Sequence, residues 1–74
     1  MDLEKQEKID IINVHLKSVV SNIFNINMLI IQESAVTPIN QDSVDALELQ
    51  LENAFAKKQA LQSELEKVTN EPGE

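Results

Sequence analysis

The sequence contains no cysteine, tryptophan, tyrosine or arginine, and its one glycine is at position 73. Without cysteine the chain forms no disulfide, and a single histidine cannot supply the ligands of an ordinary zinc site. A glycine-rich phosphate-binding loop is excluded as well. A nucleophile with an imidazole base would have only His15 to use. We therefore expect a protein that is not an enzyme, with no catalytic residue, metal, cofactor or small-molecule substrate.

Positive charge is also scarce, since six lysines stand against 13 acidic residues and the formal net charge is -7. This balance opposes binding to nucleic-acid phosphates and to anionic lipid, so we expect neither nucleic acid nor membrane among the partners. The first ten residues carry charges of both signs and lack the basic segment that begins a signal peptide. Together with the absence of cysteine, this favours a cytoplasmic location.

The length of 74 residues allows one small domain. A chain of this size buries only about 60% of the surface that it exposes when unfolded, so a core formed by one copy is marginal. Because disulfides and zinc are excluded, helix packing and association with a protein partner are the remaining sources of stability.

The longest uncharged run extends from Ser18 to Gln32. Its 15 residues include five Ser or Asn and a Gln, whereas a membrane span needs about 20 mostly apolar residues. The alternation in "NINM" is compatible with a strand, but the apolar spacing that starts before this run has the helical period. The run is therefore predicted to be part of a helix.

The first predicted helix covers about residues 4–33. Its apolar residues step by 3 and 4 and define one stripe, which we expect to be core: Ile9, Ile12, Leu16, Val19, Ile23, Ile26 and Ile30. Val20, Phe24 and Ile31 lie about 60 to 100° to one side and are expected to widen this stripe. Asn27 lies close to it, either as an amide that fixes the register or as a hydrated residue at the rim.

The connection is predicted at about residues 34–42 because Pro38 disfavours helical torsions at Thr37. Asn40, Asp42 and Ser43 are all suitable N-cap residues for a second helix at about 43–69. Its end is indicated by Asn70 as a left-handed C-cap and by a proline two residues later.

The second predicted helix has the same 3 and 4 spacing. Its core stripe consists of Val44, Leu47, Leu51, Ala54, Lys58, Leu61, Leu65 and Val68, with Phe55 beside Ala54. Lys58 is the exception, and we expect its methylenes to lie along the stripe with the ammonium at the edge.

Two helices of similar length with a short connection predict an all-α fold, an antiparallel two-helix hairpin. The hairpin is expected to form a single domain over residues 1–70, followed by a flexible tail at 71–74. Folding about Thr37 would bring Ile23 near Leu51 and Ile30 near Val44.

A second set of residues on the first helix, the uncharged line, faces away from its core stripe. It consists of Ile11, Val14, Ser18, Ser21, Asn25, Met28 and Gln32, with Leu29 adjacent. An ordinary solvent face would carry Lys and Glu, and small residues such as Ser18 and Ser21 would let another helix approach closely. We expect this line to bind protein and to complete a four-helix bundle, either in a homodimer or with a different helical partner.

The outer face of the second helix is acidic and carries Asp45, Glu48 and Glu52. Such a face is typical of a solvated surface. The alternative is a small inhibitor whose acidic strip imitates nucleic-acid phosphates and occupies a basic site on a target protein.

In size and architecture the chain resembles small acidic helical hairpins: plasmid copy-control proteins of the Rop type, subunits of type III secretion chaperone complexes and small phage-encoded inhibitors. No motif selects among these classes, and the negative charge argues against RNA binding of the Rop kind. The resemblance is one of architecture, so the expected function rests on the two faces: a small adaptor, chaperone-like protein or assembly subunit that acts through the uncharged line, or an inhibitor that acts through the acidic face.

Overall fold

The computed structural model describes residues 3–72, and two α-helices account for most of them. Helix α1 covers Lys5–Ser34 and helix α2 covers Gln41–Thr69, with residues 35–40 between them. The helices pack against each other, and no strand occurs within residues 3–72, so the predicted all-α hairpin is confirmed. The second helix begins two residues earlier than expected.

The start of α2 is fixed by Asn40, one of the three predicted N-cap residues. Its side-chain oxygen accepts a hydrogen bond of 3.2 Å from the backbone N–H of Ser43. The cap explains the earlier start, because an extended residue at position 40 lets the helix begin at Gln41.

The prediction of a left-handed C-cap at Asn70 is wrong. Asn70 has φ -87° and ψ -1°, which is right-handed, and its N–H donates to the carbonyl of Glu66 at 3.0 Å. The N–H of Glu71 donates to Val68 at 3.1 Å. The helical bonding therefore continues through the last turn, so no change of backbone handedness is required there.

The core is the contact between the two helices and is centred on Ile23, Ile26 and Ala54. Val19, Ile30 and Leu51 pack against this cluster. Ala54 is 2% exposed, and its small side chain allows the helices to approach closely at this level. Ile12, Val44 and Val68 are also buried.

The other predicted core residues lie along the same contact but are only half-buried. These are Ile9, Leu16, Leu47, Leu61 and Leu65. Lys58 and Asn27 are half-buried too. A single neighbouring helix therefore covers the core stripe without enclosing it.

Val20, Phe24 and Ile31 do not widen the core as the sequence predicted, because all three are exposed. Residues 60 to 100° from the centre of the stripe lie beyond the arc that one neighbouring helix covers. The hairpin has no third helix on that side within residues 3–72.

The open end of the hairpin is held by Glu71, the first residue of the expected tail. Its carbonyl accepts a hydrogen bond of 3.0 Å from Nζ of Lys5, and its carboxylate lies 3.4 Å from Nζ of Lys8. Glu71 therefore contacts α1 although it lies one residue beyond the predicted end of the domain at residue 70. Positions 73 and 74 of that tail lie outside the described residues.

The hairpin is elongated, with principal extents of 60 × 18 × 14 Å and a radius of gyration of 17.0 Å. A compact domain of this length has a radius of gyration of about 11 Å. The accessible surface is 5787 Å², whereas a folded monomer of 8.3 kDa exposes about 4,600 Å². The isolated chain therefore exposes on the order of 1,200 Å² more surface than a compact protein of the same mass.

Candidate interaction surface on helix α1

The uncharged line is open to solvent along most of α1. Ile11, Val14, Ser18, Ser21, Asn25, Leu29 and Gln32 are exposed, and Met28 is half-buried. Val14 is 69% exposed, the largest value among the exposed large apolar residues of the described chain. The contact with α2 therefore leaves this surface free for another molecule.

Two shallow grooves between the helices begin at apolar residues of this surface. Near the open end, Ile11 lines a groove of about 210 Å³ with Ile12 and Val68. Near the connection, Leu29 lines a groove of about 310 Å³ with Ala46 and Leu47. Both grooves lie on the same side of the hairpin, so a helix placed on the uncharged line would also find apolar surface on α2.

The acidic residues of α2 lie on its outer side, where Asp45, Glu48 and Glu52 are all exposed. Asp45 accepts a hydrogen bond of 2.9 Å from the side chain of Gln41. Within residues 3–72, the ion pairs join Lys8 to Glu71 and Lys67 to Glu64, and neither includes these three carboxylates.

The titratable groups of residues 3–72 form no cluster of three metal-ligating side chains. His15 is exposed on α1. A depression at the open end is lined by Lys5, Lys8 and Glu71 together with Leu3, Glu4, Gln6 and Pro72. The chain's lack of enzymatic activity stays a prediction.

A second apolar surface, which we call the phenylalanine face, was missed by the sequence analysis. It consists of Val20, Phe24 and Ile31 on α1 and Phe55 on α2. Phe24 is 61% exposed and Phe55 is 47% exposed, so both phenylalanines of the protein are largely in contact with solvent. Their position to one side of each core stripe was visible in the sequence, but how far one helix shields its neighbour was not.

Helix α1 is long and apolar enough to cross a membrane, judged by length and composition. Its most apolar window of 18 residues has a mean hydropathy of 1.3, and 11% of that window is buried. A helix that other helices cover in an assembly has the same composition. The expectation of no membrane contact stays a prediction.

No protein-family model, curated protein or solved structure matches this chain. Its function must therefore be inferred from the surfaces of the hairpin.

Proposed function

We propose that the protein is a non-enzymatic helical interaction protein, a small adaptor, chaperone-like protein or assembly subunit. It binds a helical protein partner through the uncharged line of α1. The observation that carries this proposal is that seven of the eight residues of the line are exposed although none of them is charged. A helix face that is exposed in the functional form would ordinarily carry charges.

The composition of the line suits the close packing of another helix. Ser18 and Ser21 have small side chains that let a second backbone approach, and they lie near the middle of α1. Ile11 and Val14 on one side and Leu29 on the other supply apolar area whose burial favours binding by roughly 25 cal/mol per Å². Both helices of the hairpin would then contribute to a four-helix bundle completed by the partner.

Position-specific photo-crosslinking tests this proposal in the cells that make the protein. A photoreactive amino acid replaces Ser21 on the uncharged line or, as the matched control, Ser63 on the outer side of α2, and both positions are exposed. We expect an adduct of defined mass from position 21 that is absent at position 63. Combining Ser18→Glu with the photoreactive residue at position 21 should remove the adduct, because it places a charge in the contact.

Equal labelling at the two positions, or labelling at position 21 that persists after Ser18→Glu, would contradict the proposal. Circular dichroism of the Ser18→Glu protein provides the folding control. Since Ser18 is exposed, helicity should be unchanged.

The alternative function, an acidic inhibitor of a protein with a basic site, is supported by the exposure of Asp45, Glu48 and Glu52. These three residues extend over about 10 Å of helix, whereas duplex DNA carries one charge per about 1.7 Å. Asp45→Lys with Glu52→Lys reverses two of the three charges of this strip. Loss of function in this variant, with the position 21 adduct retained, would favour the inhibitor over the adaptor.

A further inference from the structure

We infer that a second copy of the chain packs on the phenylalanine face. This surface is distinct from the uncharged line, and the inference goes beyond the proposed function. It assigns the self-association of the protein to Val20, Phe24, Ile31 and Phe55 and leaves the uncharged line for a different partner.

The two phenylalanines lie on the same side of the hairpin. Phe24 follows Ile23 and Phe55 follows Ala54, and Ile23 and Ala54 belong to one core cluster at the contact between the helices. Each step of one residue along a helix turns the side chain by about 100° about the helix axis. In two antiparallel helices that face each other, a step forward from the contact turns both side chains toward the same side of the pair. Since the two helices run in opposite directions, the phenylalanines are offset by only about 3 Å along the axis.

The phenylalanine face therefore presents two aromatic side chains next to each other, flanked by Val20 and Ile31. Clustered aromatic residues dominate the binding energy of many interfaces because they bury large areas with few rotatable bonds. These four side chains are all partly or largely exposed and leave on the order of 400 Å² in contact with water.

The hairpin exposes enough surface to form a dimer and still leave area for another partner. The chain exposes 5787 Å², on the order of 1,200 Å² more than a compact monomer of its mass. A stable interface buries about 800 Å² from each partner. The four side chains of the phenylalanine face supply on the order of 400 Å² of this area at the centre of the interface, and a second copy placed there leaves the uncharged line accessible.

Charge along the phenylalanine face is mixed and suits a second copy. Lys17 lies seven residues before Phe24, two turns toward the open end, and Glu48 lies seven residues before Phe55, two turns toward the connection. Glu66 lies 11 residues after Phe55, about three turns toward the open end, on the same side of α2. A second copy therefore presents an acidic residue at the level of Lys17 whichever way it is turned, so charge supports self-association.

A lipid surface fits this face less well than a second copy does. Interfacial helices usually carry Lys and Arg beside their apolar face, whereas this protein has a net charge of -7 and the acidic Glu48 at the edge of the phenylalanine face.

The test is the mass of the full chain in solution, measured by sedimentation equilibrium from micromolar to millimolar concentration. We expect a dimer of the 8.3 kDa chain. Phe24→Gln with Phe55→Gln should weaken dimerisation about 100-fold, because it removes both aromatic anchors from the centre of the interface. Leu49→Gln is the matched control, since Leu49 is an exposed apolar residue on the outer side of α2 and should leave the mass unchanged.

Three results would overturn the inference. The first is a helical monomer throughout the concentration range. The second is a dimer that Ser18→Glu with Ser21→Glu dissociates and the phenylalanine variant does not, which would place the copy on the uncharged line and leave the proposed function intact. The third is a monomer that binds phosphatidylcholine vesicles through the two phenylalanines. Loss of the position 21 adduct alone would refute the proposed function without affecting the dimer.

Discussion

Replacing Ile26 by alanine tests whether the contact between α1 and α2 is the core of the protein. Ile26 is 4% exposed and packs in the cluster with Ile23 and Ala54. The substitution deletes three carbon atoms, and their transfer out of water contributes about 0.8 kcal/mol each. Alanine regains about 0.4 kcal/mol through its higher helix propensity.

The expected loss is about 2 kcal/mol, at the lower end of the 2 to 5 kcal/mol typical of such substitutions. The core has only two layers and is open on both sides, so the helices can move together and reduce the cavity. A protein of this length has a free energy of unfolding of about 4 to 11 kcal/mol. The substitution should therefore remove a large part of the stability and lower Tm by about 10 °C.

The assay is urea unfolding followed by circular dichroism at one fixed protein concentration. Ile11→Ala is the control, because it makes the same chemical change at a residue that is 46% exposed on the same helix. Its expected cost is below about 1 kcal/mol. If the two variants lose the same free energy of unfolding within about 0.5 kcal/mol, the contact between the helices is not the core and the reasoning is refuted.

Three other substitutions test separate features of the hairpin by the same unfolding assay. Asn40→Ala removes the side-chain cap on the N–H of Ser43 and should cost about 1 kcal/mol, whereas an unchanged midpoint would mean that this cap does not stabilise α2. Lys58→Leu places an apolar side chain in the core stripe and should raise the stability by about 1 kcal/mol; a loss would indicate that the ammonium makes a favourable contact. Glu71→Gln removes the charge 3.4 Å from Lys8, and because both side chains are partly exposed the cost should be below about 0.5 kcal/mol and vanish in 1 M salt.

Much of the fold follows from local patterns. The spacing of the isoleucines and leucines specifies two amphipathic helices, and Pro38 and Asn40 specify where the second helix can begin. These features depend on residues within a few positions of each other, so the sequence alone is enough to locate them. The predicted ends of the helices agree with the structure to within one or two residues. The backbone conformation predicted at Asn70 was wrong, because this residue is right-handed.

The width of the core could not be obtained in the same way. Val20, Phe24 and Ile31 have the hydrophobicity of core residues, but they are exposed because α2 covers only part of the circumference of α1. How much one helix shields another depends on the distance and the crossing angle between their axes. For α1 these are set partly by small residues of α2 such as Ala54, which are distant in the sequence.

The sequence by itself therefore determined the helices, the connection and the charge distribution, since each of these is set by neighbouring residues. It also identified the uncharged line, because residues that face the same way along one helix recur at fixed spacing. The tertiary structure alone decided which apolar residues remain in water, and so revealed the phenylalanine face. The physical reason is that burial depends on the relative position of two helices, and Phe24 and Phe55 become neighbours only when the chain has folded back on itself.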